Sequence, residues 1–273
     1  MKTTSKVIAT IALATALPVA ASGNTVSLRA AFPDIEVTLR ATLPEAPKDR
    51  QQECRTAPAA SPAGQAVAAK GWQVISEASL GDYTLVTFAA NSSPGAGGVC
   101  ELPDGNMAVF KGSQLTGFFW STLTDNDFFG SLDAQREGIL DLRRAAFPTV
   151  PVAEITLSAD TITLQPLPKT LPGCGGTVEI PQLWLDPIGK VRESLIALGW
   201  TPMTPQAQDP ISADMQAQGF PETESCSGTG ENYCSYEYAQ AGTKLRIISI
   251  GELGPDYQPS FTDFELTCQK ATP

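Results

Sequence analysis

Histidine is missing altogether from the 273 residues. Its absence removes Ser-His-Asp and Cys-His catalysis and the commonest protein ligand for zinc. Other chemical signatures are missing as well. The chain has no Gly-x-Ser-x-Gly, no Asp-Thr-Gly or Asp-Ser-Gly, and no Ser-x-x-Lys beyond its N-terminal segment. Gly189-Lys190 is followed by Val191, so it forms no phosphate loop. Positive charge is scarce: 18 Lys and Arg stand against 29 Asp and Glu, a net charge of −11. Such a chain is a poor partner for nucleic acid or for an anionic membrane surface. The acidity reads first as a solvated surface.

Long apolar runs are missing too, except at the start. Lys2 and Lys6 precede the apolar stretch Val7 to Val19, and Val19-Ala20-Ala21 fits the small-residue cleavage rule, so residues 1–21 read as a secretory signal peptide. The run is shorter than the roughly 20 residues that a membrane span needs. Cleavage after Ala21 removes two lysines and no acids. The 18 basic residues then fall to 16 against 29 acidic ones, a balance of −13. The expected mature protein is soluble, without a membrane span, and periplasmic or secreted. In that setting the six cysteines (Cys54, Cys100, Cys174, Cys226, Cys234 and Cys268) read as three disulfides. They are too sparse to replace a hydrophobic core.

What is present is a repeated helix grammar. Asp186-Pro187 opens a short run that ends at Gly199-Trp200; Ser61-Pro62 leads to Gly71-Trp72, and Asp209-Pro210 to Gly219-Phe220. An oxygen-bearing cap, a proline at the first helical position and a glycine at the end predict three short helices. Ser131 and the stretch Leu132 to Leu142 predict a fourth, weakened by Gly138. Between these lie alternating runs that predict hairpins: Trp72–Ser76 with Tyr83–Phe88, Met107–Phe110 with Leu115–Trp120, and Ala153–Leu157 with Thr161–Leu164. In the second half Tyr233–Tyr238, Lys244–Ile250 and Phe261–Cys268 read as strands. The Pro-rich segment 166–173 reads as a linker. These elements predict an α+β fold of two similar modules, each a short capped helix packed on an antiparallel sheet: an N-terminal domain over 22–165 and a C-terminal domain over 174–273. The internal repeat is one of pattern, with cysteine, capped helix, Gly-Trp, second cysteine and strands in each half.

The motif Leu195-x-x-x-Gly199-Trp200, then Gly219-Phe220-Pro221-Glu222, then Cys226-Ser227-Gly228-Thr229-Gly230 with Cys234, resembles a family of uncharacterised exported bacterial proteins over roughly residues 184–268. That resemblance implies an exported module and brings no activity. The duplicated plan is similar to that of secreted β-lactamase-inhibitor-like proteins, a likeness of fold alone. The first half shares the pattern less closely and lacks the Ser-Gly-Thr-Gly loop.

Few residues qualify as a site. Asp125, Asp127 and Gly130 fall at positions 1, 3 and 6 of a calcium loop, but Phe129 occupies position 5 and Arg136 position 12, where oxygen ligands belong. An acidic turn is the expectation. The Cys226–Cys234 loop precedes a strand and carries Glu231, so it reads as a disulfide-pinched turn rather than an anion cradle. No catalytic residue, cofactor or metal ligand is assigned. Phe118, Phe119 and Trp120 form the candidate interaction surface, with core or interdomain packing as the plainer reading. Two function classes follow: a non-enzymatic exported binding or inhibitory module acting on another envelope or secreted protein, and a carboxylate-dependent periplasmic hydrolase. A shallow aromatic surface would favour the first, and a deep pocket with two perturbed acids the second.

The cysteines permit a sharper expectation. Two domains require Cys54 to pair with Cys100. Strict repetition would give Cys174–Cys226 and Cys234–Cys268. Proximity gives Cys226–Cys234 and Cys174–Cys268, which loop closure favours.

Overall fold

Nineteen strands and only three α-helices, of seven, ten and eight residues, make up the regular structure among the described residues. The computed structural model describes residues 26–39, 42–123, 127–136, 138–228, 230–253 and 258–268. The segment 1–21, expected as a signal peptide, and Asp125 of the calcium-like turn lie outside them. The molecule is therefore β-rich, and the expectation of a balanced α+β fold of two matching helix-and-sheet modules is wrong. Local patterns suggest that each helix covers a sheet of its own. They do not show that a second sheet, built from distant segments, does most of the covering in the first half.

That half has two five-stranded sheets. The first runs Ile35–Thr38, Gln114–Ser121, Asn106–Lys111, Tyr83–Ala89, Gln73–Leu80, all antiparallel. The second runs Ser27–Ala30, Thr161–Gln165, Pro151–Ser158, Ile139–Arg143, Leu132–Arg136, with its first strand parallel to its second. Successive side chains of a strand point to opposite faces. Leu85, Met107, Val109 and Phe119 of the first sheet accordingly meet Leu140, Leu142, Ile155, Ile162 and Leu164 of the second in one core. Val86, Phe88, Ala108 and Phe110 point the other way and pack with Ala63 and Val67 of helix α1 (Pro62–Ala68). The expected helix over Leu132–Leu142 is a hairpin of the second sheet. Leu132 and Leu142 are cross-strand partners, and Gly138 has φ 72° between the strands.

The second half holds one five-stranded sheet. Thr201–Pro202 and Thr223–Cys226 both pair with Cys234–Gln240, followed by Thr243–Ile250 and Ser260–Thr267. Helix α2 (Ile188–Ala197), helix α3 (Pro210–Ala217) and the hairpin Thr170–Gly173 with Val178–Pro181 supply Ile188, Val191, Leu195, Met215, Val178 and Ile180 to a core with Tyr236, Tyr238, Leu245, Ile247 and Phe261. Thr170–Gly173 belongs to the segment expected as linker, so 166–169 remain without regular strand pairing.

Capping follows the sequence in two helices of three. Ser61 Oγ accepts the Gly64 N–H at 2.9 Å, and Asp209 forms a reciprocal box with Ser212. Asp186 does not cap α2. Pro187 is extended and is itself the cap residue, and the Asp186 carboxylate pairs with Lys190 at 2.9 Å. Three disulfides are formed, Cys54–Cys100, Cys174–Cys268 and Cys226–Cys234, and the strictly repeated pairing is not. No described helix is long and apolar enough to cross a membrane.

Candidate functional site

Alternation along Gln114–Ser121 decides what the three consecutive aromatics can do. Phe119 points between the two sheets and is fully buried. Phe118 and Trp120 point to the face that carries α1. That helix spans only seven residues and lies over the strands Gln73–Leu80 and Tyr83–Ala89. The remainder of the face is partly covered by Leu43, Pro44 and Ala46. Phe118 is buried beneath this cover, whereas Trp120 is half-buried at its margin.

The four tryptophans divide by what their N–H groups do. Trp72 donates to the Pro44 carbonyl at 2.8 Å, Trp200 to the Glu179 carbonyl at 2.7 Å, and Trp184 to Gln182 Oε1 at 2.5 Å. Trp120 alone donates to no acceptor among the described residues. Its ring is nevertheless fixed, meeting Trp72 edge-on at 5.6 Å and Phe118 at 5.5 Å.

Two hollows meet the indole. One, of about 240 Å³, is lined by Glu36, Thr38, Pro44, Phe118 and Trp120. The other, of about 120 Å³, is lined by Trp72, Trp120, Pro47 and Leu123 with the polar Asp104, Asn106 and Ser121. Asp104 and Asn106 brace the rim. Asp104 accepts the backbone N–H groups of Ala90 at 3.2 Å and Asn91 at 3.0 Å, and the Asn91 side chain at 3.0 Å. Asn106 donates to the Asp104 carbonyl at 2.7 Å and accepts from the Ser121 N–H at 3.1 Å. Glu36 differs. It is the register partner of Trp120 on the edge strand, it is exposed, and no described residue pairs with its carboxylate. Cross-strand partners hold their Cβ atoms about 5 Å apart, so this carboxylate stands beside the ring.

No family model, curated protein or solved structure matches this chain.

Other constellations are closed by their own partners. Asp141 and Glu154 are cross-strand neighbours on the outer face of the second sheet, both buried, and are the pair that carboxylate chemistry would call for. Arg136 bonds both. Burial pushes the Asp141 carboxyl up, and the Arg136 guanidinium only partly offsets it. None of the cavities described here is lined by the pair. In the calcium-like turn, Asp127 binds Arg144, and Phe129 is fully buried between the sheets. Among the described residues no group of three metal-ligating side chains forms. The Cys226–Cys234 loop folds on itself, with the Ser227 N–H donating to the Tyr233 carbonyl at 2.7 Å and the Tyr233 N–H to Ser227 Oγ at 3.1 Å.

Two clusters escaped the sequence reading. Glu222 is fully buried, accepting from Arg192 Nε and from the Tyr238 hydroxyl, each at 2.8 Å. Burial, with Glu222 alongside, pushes the Tyr238 hydroxyl far up. The only sequence signal was Glu222 closing the Gly-Phe-Pro-Glu motif. On the open face of the C-terminal sheet, Glu224, Glu237, Lys244, Arg246 and Glu265 line a trough of about 220 Å³. Lys244 pairs with Glu237, and Arg246 with Glu224 at 3.2 Å and Glu265 at 3.5 Å. The alternation of Lys244 and Arg246 along one strand carried this signal. Every carboxylate in the trough has a cation, which sets it apart from Glu36.

Proposed function

We propose that the protein is an exported, non-enzymatic binding module that engages another envelope or secreted protein through the cleft around Trp120. The observation that carries this is the indole itself: half-exposed, braced from behind by Trp72 and Phe118, and with an N–H that no described residue accepts. A rigid aromatic with one wet edge gives large contact area at little entropic cost, as binding surfaces require. Three disulfides accord with an oxidising compartment outside the cytoplasm. The carboxylates of Asp141 and Glu154, a pair of the kind a hydrolase would use, are both held by Arg136.

The test is capture from the native envelope fraction with the wild-type protein and with Trp120→Ala. Because Trp120 is only half-buried, the variant should keep its fold, checked by circular dichroism. A partner retained by the wild type and lost by the variant is the expected result. Identical captures from both would remove Trp120 from the function.

A further inference from the structure

The chemistry of the cleft narrows what a partner must present, given that Trp120 is a binding surface. The carboxylate of Glu36 stands beside the indole, and no cation among the described residues pairs with it. The described residues lining the two hollows include Glu36 and Asp104 and not one lysine or arginine. Arg50 donates to the Pro47 carbonyl at 3.0 Å and lies against Gly71, but it lines neither hollow. The faces of Trp120 and Phe118 add the negative side of two aromatic quadrupoles. Elsewhere the chain neutralises its clustered carboxylates itself, as Arg136 does for Asp141 and Glu154, and as Lys244 and Arg246 do in the C-terminal trough. A ring face next to an unpaired carboxylate is the complement of an organic cation.

We infer that the Trp120 cleft receives a basic side chain of a partner protein, arginine in preference to lysine. The guanidinium plane lies on the indole and its N–H groups donate to Glu36. Arginine is preferred because its planar fork can stack on a ring and bond a carboxylate at once, whereas a lysine ammonium is a more strongly hydrated point charge. A protein, rather than a free small cation, is the source because Leu123, half-exposed on the rim, offers an apolar shoulder to the residues flanking the arginine. The net charge of −11 draws such a basic partner in.

The experiment follows the Trp120 indole N–H resonance of the ¹⁵N-labelled protein, assigned by its loss in Trp120→Phe. The probes are N-acetylarginine methylamide, its lysine counterpart and the neutral citrulline counterpart. The arginine probe should shift Trp120 saturably, the lysine probe more weakly, and citrulline not at all. Glu36→Gln should weaken the arginine probe about threefold to tenfold, and added salt should weaken it further. Glu36→Lys, which installs a cation in the cleft, should abolish the shift, and both substitutions sit at an exposed position where the fold should hold. Equal shifts from citrulline, an unchanged titration in Glu36→Gln, or no shift of Trp120 from any probe would each overturn the inference. A captured partner that still requires Trp120 but is indifferent to Glu36 would overturn it while leaving the binding role intact.

Discussion

At the scale of single residues, the same side chain does different work according to where its polar atom ends. Trp72 and Trp200 close helices and send their N–H groups to backbone carbonyls, which makes them core, while no described residue accepts the Trp120 N–H. Carboxylates divide in the same way. Glu77 lies under the start of α1, where it accepts the N–H groups of Ala60 at 2.8 Å and Ser61 at 3.0 Å and the Ser61 hydroxyl. Burial by itself raises its pKa, and these bonds outweigh burial, so the carboxyl is held below its usual 4.5. A depressed acid binds fewer protons folded than unfolded. Its contribution to stability is therefore complete above the unfolded value and is lost as pH falls through the folded one. Glu77→Gln should flatten the acid limb of the stability profile below about pH 4.5. Urea midpoints between pH 6 and pH 3 check this, and an unaltered acid slope in the variant would count against the assignment.

At the scale of elements, helix ends were legible and sheet partners were not. A cap involves atoms three residues apart, so Ser61 and Asp209 announce themselves, and a glycine after the last turn announces the exit, as Gly71 with φ 84° and Gly199 with φ 89° show. Asp186 misled because Pro187 stays extended and shifts the helix start by one residue. The stretch Leu132–Leu142 misled for a different reason. Its apolar residues fall at helix-like intervals, yet the strands fold back at Gly138 and pair across the turn. Sequence reading charged that glycine as a helix weakness, whereas its positive φ is what the turn uses. Gly138→Ala tests the difference. A Cβ there meets nothing within 4 Å, so only the left-handed backbone is penalised. The expected cost is about 1–2 kcal/mol, read as a lower urea midpoint. A stabilised variant, as a helix interior would give, would contradict the turn. The candidate site was half legible: the aromatic run pointed to the strand, but only the register with Ile35–Thr38 brought Glu36 to Trp120, and register across more than 80 positions leaves no local trace.

At the scale of the molecule, the halves differ in what covers the second face of each sheet. In the first half a second five-stranded sheet does so, its edge strand Ser27–Ala30 pairing in parallel with Thr161–Gln165 from the far end of that half. In the second half the equivalent face carries the trough of paired charges and, among the described residues, no second sheet. The two cores draw on separate stretches of chain: the C-terminal cluster uses residues from Cys174 to Leu266 alone. Both Cys174–Cys268 and Cys226–Cys234 close within that stretch, and the Lys169 carbonyl, accepting from the Gln182 N–H at 2.9 Å, marks where its structure begins. A fragment of residues 169–268 should therefore fold alone. The disulfides should matter to it unequally. Constraint of the unfolded chain grows with loop length, so the bridge spanning 94 positions contributes about 4.7 kcal/mol and the one spanning 8 about 2.5 kcal/mol. The expected result is a cooperative melt with both bridges recovered by non-reducing peptide mapping. The double replacement Cys174→Ser with Cys268→Ser should lower stability by about 2 kcal/mol more than Cys226→Ser with Cys234→Ser. A fragment that shows no cooperative transition with its disulfides intact would mean that the C-terminal core depends on the sandwich beside it.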